Sequence, residues 1–159
     1  MAGELRARYW AWVDHVVAAA RQVCGERLLG AVVYGSVGRD RPHEGSDIDL
    51  LLVVELLPDG RRARADLAER IEDVATRSAP DLPDLSLVLR TQAEVRSGFP
   101  LLLDMVEDGR VCRDAGGVVG ALLAEWRTRL AATGARRVVT GDSWHWDLAP
   151  SAPPGEWSL

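Results

Sequence analysis

The 159-residue sequence contains no lysine and no asparagine, and its 19 basic residues are all arginine. Without lysine there is no Schiff-base amine, no pyridoxal-phosphate anchor, no P-loop lysine on a triphosphate and no kinase-type strand lysine. Arginine stays protonated and cannot accept a proton, so it cannot serve as a general base. Cysteine is scarce too. Cys24 and Cys112 lie far apart and form no C-x-x-C pair, which predicts two reduced thiols rather than a disulfide or a metal knuckle. No apolar run approaches the ~18 residues that a bilayer-spanning helix needs. The first residues lack the basic stretch followed by an apolar run of a secretory signal. A cytoplasmic protein with no membrane contact is expected. The net charge of −5 argues against a protein that coats nucleic acid by charge alone, so nucleic-acid binding is not expected.

What is present is an ordinary globular mixture, 47% hydrophobic and 27% charged, on a chain long enough for one real core. Leu5, Tyr9, Trp12, Val13, Val16, Val17, Ala20 and Val23 recur at helical spacing and predict an amphipathic helix over 4–24. Apolar, partly β-branched runs predict strands at 28–34, 47–54 and 85–91, with a short fourth strand at 111–113. The spacing predicts further helices over 61–78, 99–107 and 118–132. Residues 35–46, with three glycines and a proline, read as a loop too short for a helical crossover. The first two strands are therefore antiparallel or splayed neighbours. The order gives an α/β domain over 1–132 with a small mixed sheet flanked by helices. From residue 133 the pattern fades. Trp144, Trp146 and Trp157 stand among Pro150, Pro153 and Pro154. An irregular tail over 133–159 is expected, packing its tryptophans on the domain or on a partner.

The chemistry concentrates between Tyr34 and Leu50. Asp47 and Asp49 are two residues apart at the start of an apolar strand. Residues i and i+2 share a strand face, with Cα atoms roughly 6.5–7 Å apart. Two carboxylates side by side repel and lose hydration, and a divalent cation between them removes both penalties. Mg²⁺ takes a few carboxylate oxygens and fills its octahedron with water and phosphate oxygens. Two ions at such a pair would suit phosphoryl or nucleotidyl transfer. Gly35 and Ser36 directly follow the first strand. A glycine there lets backbone approach a phosphate, and the next N–H groups and the Ser36 hydroxyl can donate to it. Arg39 and Arg41 add cationic donors nearby. His43 and Glu44 read as a solvated loop. Arg61, Arg62 and Arg64 read as a solvated helix face.

Gly35-Ser36, ten residues, then Asp47-Ile48-Asp49 resembles the signature of the DNA polymerase β-type nucleotidyltransferase superfamily. The Gly-Ser-x-x-Arg start and Ser-Asp-Ile-Asp-Leu close are especially similar to the small prokaryotic minimal nucleotidyltransferases (MNT), many of them antitoxins. The resemblance implies the nucleotidyltransferase fold, ATP or another nucleoside triphosphate as substrate and Mg²⁺, with two ions, as cofactor. It implies transfer of a nucleoside monophosphate to a hydroxyl. It gives Gly35 and Ser36 the phosphates, Arg39 a share of the phosphate charge, and Asp47 and Asp49 the metals. A third carboxylate belongs to a later strand. The strand's apolar run puts Ser86 at that position and Asp84 two residues early, and Asp84 is the candidate catalytic and metal-ligating residue from a shifted register. The partner implied is a HEPN-class toxin (a helical RNase domain), adenylylated by the antitoxin. Three alternatives stay open: an inactive MNT-fold antitoxin acting by contact, an aminoglycoside-type small-molecule nucleotidyltransferase, and, for assembly, a homo-oligomer.

Overall fold

Seven residues of continuous apolar character, Leu28–Tyr34, form strand β1, and an equally apolar run, Ile48–Val54, forms β2 beside it. The computed structural model describes residues 2–148. Both strands are apolar on both faces because both faces are covered. The four-stranded sheet has the order β3-β2-β1-β4, completed by β3 (Leu85–Arg90) and β4 (Arg110–Asp114). β1 pairs antiparallel with β2 and with β4, and β2 pairs parallel with β3. The sheet is thus mixed. The antiparallel neighbours expected for the first two strands are present.

One face carries helix α1 (Ala2–Cys24) and, packed against it, α3 (Arg61–Ser78). Tyr9, Val13, Val16 and Ala20 of α1 meet Leu28, Ala31 and Val33 of β1 and Ile48, Leu50 and Leu52 of β2 in one buried cluster. The other face carries α4 (Gln92–Ser97), α5 (Leu102–Asp108) and α6 (Val118–Thr133). Leu102, Met105, Leu122, Leu123 and Trp126 cover Val32, Leu51 and Val53 there. Helix α4 is not among the sequence expectations, although its start is readable: Thr91 and Glu94 form a reciprocal capping box. Another short helix, α2 (Gly35–Gly38), occupies the start of the segment read as loop.

The expectation of an irregular tail is corrected for residues 136–147. They form a hairpin, β5 (Arg136–Thr140) and β6 (Ser143–Asp147). The alternation Trp144-His145-Trp146 is a period-two pattern that puts both indoles on one face. Both indole N–H groups donate to one Asp104 carboxylate oxygen on α5, at 3.0 and 3.1 Å. An isolated two-stranded hairpin is marginal in water, and this docking supplies what the hairpin lacks. Trp157 lies outside the described residues. Among the described residues no helix is long and apolar enough to cross a membrane.

Candidate functional site

Asp49 is the second residue of β2 and lies between two register partners, Tyr34 at the end of β1 and Ser86 in β3. On its face of β2 the following residues, Leu51 and Val53, are fully buried under α4–α6. The carboxylate stands where that cover stops. Asp49 is half-buried, while Asp47, just ahead of the strand, is exposed. Burial pushes the Asp49 carboxyl above the usual carboxylate range, and the negative charge of Asp47 adds to this. The neighbouring Ser86 hydroxyl and the positive charge of Arg39 pull the other way. Tyr34 is buried and pushed up to about 12 by desolvation and by the charge of Asp49, with Ser86 opposing.

Gly35 closes onto Asp49. It has φ +65°, and a Cβ built on it would overlap Asp49 Oδ2. Only glycine satisfies both the left-handed backbone and the close approach. From there the chain makes the single turn of α2. Its cap, Tyr34, contributes no side-chain hydrogen bond. The leading N–H groups of a helical turn have no intrahelical acceptor, so the Gly35–Ser36 backbone carries free donors at the residue that touches Asp49. Gly38 is packed tightly in turn: a Cβ at that position would lie 2.9 Å from the Val33 carbonyl oxygen and 3.0 Å from that of Asp108. Arg39, at the end of that turn, lies over the Trp144 ring at 4.7 Å and 3.5 Å from Asp108.

Gly35, Ser36, Asp47 and Asp49 are therefore brought together, with Arg39 at the rim. Asp84 completes no three-carboxylate metal group with Asp47 and Asp49. It precedes β3, its side chain is exposed, and its carbonyl accepts the Ile48 N–H at 2.9 Å. Among the described residues no three His, Cys, Asp or Glu side chains form a group that could hold a metal ion. The residue facing Asp49 across the parallel pair is Ser86. The register is straight, so Asp84 falls beyond the strand. The pair Asp47 and Asp49 nonetheless fits a divalent cation. Its donors are hard oxygens, and Mg²⁺ sites are commonly held by one or two carboxylates plus substrate phosphates.

The motif's loop is anchored by residues that the sequence did not single out for function. Tyr9, buried on α1, donates its hydroxyl to the carbonyls of His43 and Ser46 at 2.9 and 2.8 Å. Burial raises its own pKa. Ser46 Oγ accepts the His43 N–H at 2.9 Å. This fixes the chain immediately before Asp47. The available signal was a tyrosine on an inward helix position, whose hydroxyl needs a partner when buried. Glu44 pairs with Arg8 at 2.8 Å rather than standing alone in solvent. Of the arginines at the start of α3, Arg64 is held by Glu94 at 2.7 Å and by the Pro58 carbonyl.

A family model described as a nucleotidyltransferase domain matches residues 19–111, more than half of the chain. The chain belongs to the nucleotidyltransferase domain family. The matched stretch contains Gly35, Ser36, Asp47, Asp49 and Ser86 of this nucleotidyltransferase domain. It leaves out Tyr9 and the β5–β6 hairpin. No curated protein matches the sequence. Among solved structures, a chain of a toxin–antitoxin crystal structure with AMP-PNP is similar at 20% identity and TM-score 0.49, covering 75% of this chain and 90% of that one. A chain of the MntA–HepT toxin–antitoxin is similar at 19% identity and TM-score 0.43, covering 74% and 87%. A tri-AMPylated Shewanella oneidensis HEPN toxin in complex with MNT antitoxin supplies a chain at 16% identity and TM-score 0.42, covering 84% and 93%.

Proposed function

We propose that this nucleotidyltransferase domain binds a nucleoside triphosphate with Mg²⁺ and transfers the nucleoside monophosphate, AMP from ATP, to an acceptor hydroxyl. The observation that carries the reading is the closure of Gly35 onto Asp49, which sets the Gly35–Ser36 turn directly against that carboxylate. Asp47 and Asp49 would hold Mg²⁺, which when bound supplies charge neutralisation at the phosphates. Ser36 and the backbone of its turn would hold the terminal phosphates, with Arg39 taking part of their charge. In the transfer, the acceptor oxygen forms a bond to the α-phosphorus. The bond from that phosphorus to the pyrophosphate oxygen breaks, and the hydroxyl proton passes to a carboxylate. The similarity of the Gly-Ser-x-x-Arg and Ser-Asp-Ile-Asp-Leu motifs to minimal nucleotidyltransferases supports a HEPN-class toxin as the acceptor protein.

A second reading has its own support. Ser86 stands opposite Asp49, and no three-carboxylate group is present among the described residues, which supports a site working without the family pattern's third carboxylate. General-base help contributes about 10²–10⁴-fold, so the same site could bind Mg-nucleotide with little transfer and act on its partner by contact.

Two measurements separate these readings. Calorimetric titration of Mg-ATP should give binding that Asp47→Ala and Asp49→Ala each abolish. Unchanged affinity in both variants overturns the site assignment. Incubation with α-labelled ATP and a co-encoded HEPN-class protein should label that protein. Intact binding without label on partner or on the chain itself selects the contact-only reading.

A further inference from the structure

The β5–β6 hairpin lies beyond the 19–111 family match, yet it docks against the turn that carries Arg39. Asp108, at the end of α5, has a side chain only 10% exposed and receives two guanidinium groups. Arg137 of the hairpin takes it with both terminal nitrogens, at 2.6 and 3.0 Å. Arg39 reaches only the Oδ2 that Arg137 already holds, and at 3.5 Å. Both guanidinium groups lie over the Trp144 ring, Arg39 at 4.7 Å and Arg137 at 5.4 Å. That ring is tethered by its own N–H to Asp104.

The contest for Asp108 is unequal. A two-pronged guanidinium–carboxylate pair is short and strong, whereas a single contact at 3.5 Å is at the edge of hydrogen bonding. One carboxylate cannot grip two arginines in the two-pronged mode, and Arg137 holds that place. A nearly buried carboxylate cannot stay unpaired cheaply. If Arg137 were absent, Asp108 would capture Arg39 in the same two-pronged grip and turn it away from the site.

We propose that the hairpin is a positioning device for Arg39: Arg137 saturates Asp108, and Trp144 supports the Arg39 guanidinium so that it meets a phosphate of the bound triphosphate. The inference rests on the nucleotide-binding reading and adds two positioning residues, Arg137 and Trp144, outside the family match.

The test is calorimetric titration of Mg-ATP into the full chain and four variants, each checked by thermal melting. Arg39→Ala should weaken binding about tenfold, the loss of one charge-assisted contact. Arg137→Gln, which keeps most of the side chain but not its charge, should weaken it about three- to tenfold. The double variant Arg39→Ala/Arg137→Gln should be no weaker than Arg39→Ala alone, because Arg137 acts only through Arg39. Asp108→Asn/Arg137→Gln should return to within about twofold of the wild type, since no carboxylate remains to capture Arg39. A merely structural role for Arg137 would give additive losses and no such rescue. Wild-type affinity in Arg137→Gln, multiplied losses in the double variant, or failure of the Asp108→Asn rescue overturns the proposal. So does an Arg39→Ala variant that binds normally. In each case the nucleotide reading survives if Asp49→Ala still abolishes binding. A wild type that does not bind Mg-ATP overturns both. Should Arg137→Gln fail to fold, Trp144→Leu removes the ring under both guanidinium groups and carries the same expectation in the presence and absence of Arg39.

Discussion

Ser86 stands opposite Asp49, its register partner across the parallel β2–β3 pair, and holds that carboxyl down against the upward push of burial. It acts in the same direction on Tyr34 on the neighbouring strand. A neutral serine thus stands where the family pattern asks for a carboxylate, and it lessens the charge burden on Asp49 instead of adding to it.

Substituting Ser86→Asp should therefore change two properties in opposite directions. A carboxylate at that position can accept the acceptor-hydroxyl proton, and transfer of label from ATP should rise about 10²-fold or more. The metal-free chain should melt lower, because a third negative charge joins Asp47 and Asp49 near a half-buried carboxyl. Label incorporation and thermal melting, with and without Mg²⁺, measure both. If Ser86→Asp leaves transfer unchanged while Asp84→Asn abolishes it, Asp84 is the working base and position 86 is not the catalytic one.

Gly35→Ala tests the closure of the phosphate turn onto the carboxylate. The added methyl meets Asp49 Oδ2 and also forces an alanine into φ +65°. Backbone strain of this kind costs about 1–3 kcal/mol, and the displaced carboxylate adds to it. A stability loss of about 2 kcal/mol or more is expected in urea unfolding, together with loss of Mg-ATP binding. A variant that keeps both would show that the turn and Asp49 are not mechanically linked.

Much of this site can be read from the sequence. The Gly-Ser turn and the Asp-x-Asp strand start are short-range patterns, whereas the pairing of Ser86 with Asp49 is a register that one strand's apolar run does not specify. What escapes is whatever depends on contacts far along the chain. Tyr9 reads as one more inward residue of α1, and its hydrogen bonds to carbonyls 34 and 37 residues away follow from packing alone. The hairpin escapes because its strands are short and polar on one side. They are held by Asp104 and Asp108, whose acidic side chains look like an ordinary solvated face of α5.

Tyr9→Phe isolates that long-range anchor. The ring and its packing stay, while the Ser46 carbonyl loses its donor and the His43 carbonyl keeps only the Ser46 N–H. Leaving buried acceptors unsatisfied costs about 1–3 kcal/mol. Because the loop ends at Asp47, Mg-ATP affinity should fall as well, although residue 9 lies on α1, outside the Gly35–Asp49 motif. Faster amide hydrogen exchange over residues 43–47, measured against an unchanged β1, is the expected signature. Unaltered exchange there would remove Tyr9 from the account of the site.

Tyr34→Phe gives a pH-dependent prediction whose sign can be worked out. An unfolded tyrosine titrates near 10, whereas Tyr34 in the folded chain is raised to about 12 by burial and by Asp49. Between those values the unfolded chain has released the proton and the folded chain has not. The unfolded state then binds fewer protons, so stability falls as pH rises. Below about pH 10 the group contributes no pH dependence. Across the window the loss approaches about 2–3 kcal/mol, since each tenfold difference in proton affinity is worth about 1.4 kcal/mol. Phenylalanine has no proton to release. The wild type's advantage over Tyr34→Phe should therefore be constant from about pH 7 to pH 9 and shrink by about 1 kcal/mol by pH 11. Tyr9 is raised too, but it is present in both proteins and cancels. Guanidinium unfolding of the pair at each pH decides the matter, and an advantage that stays constant to about pH 11 would show that the Tyr34 hydroxyl is solvated rather than enclosed beside Asp49.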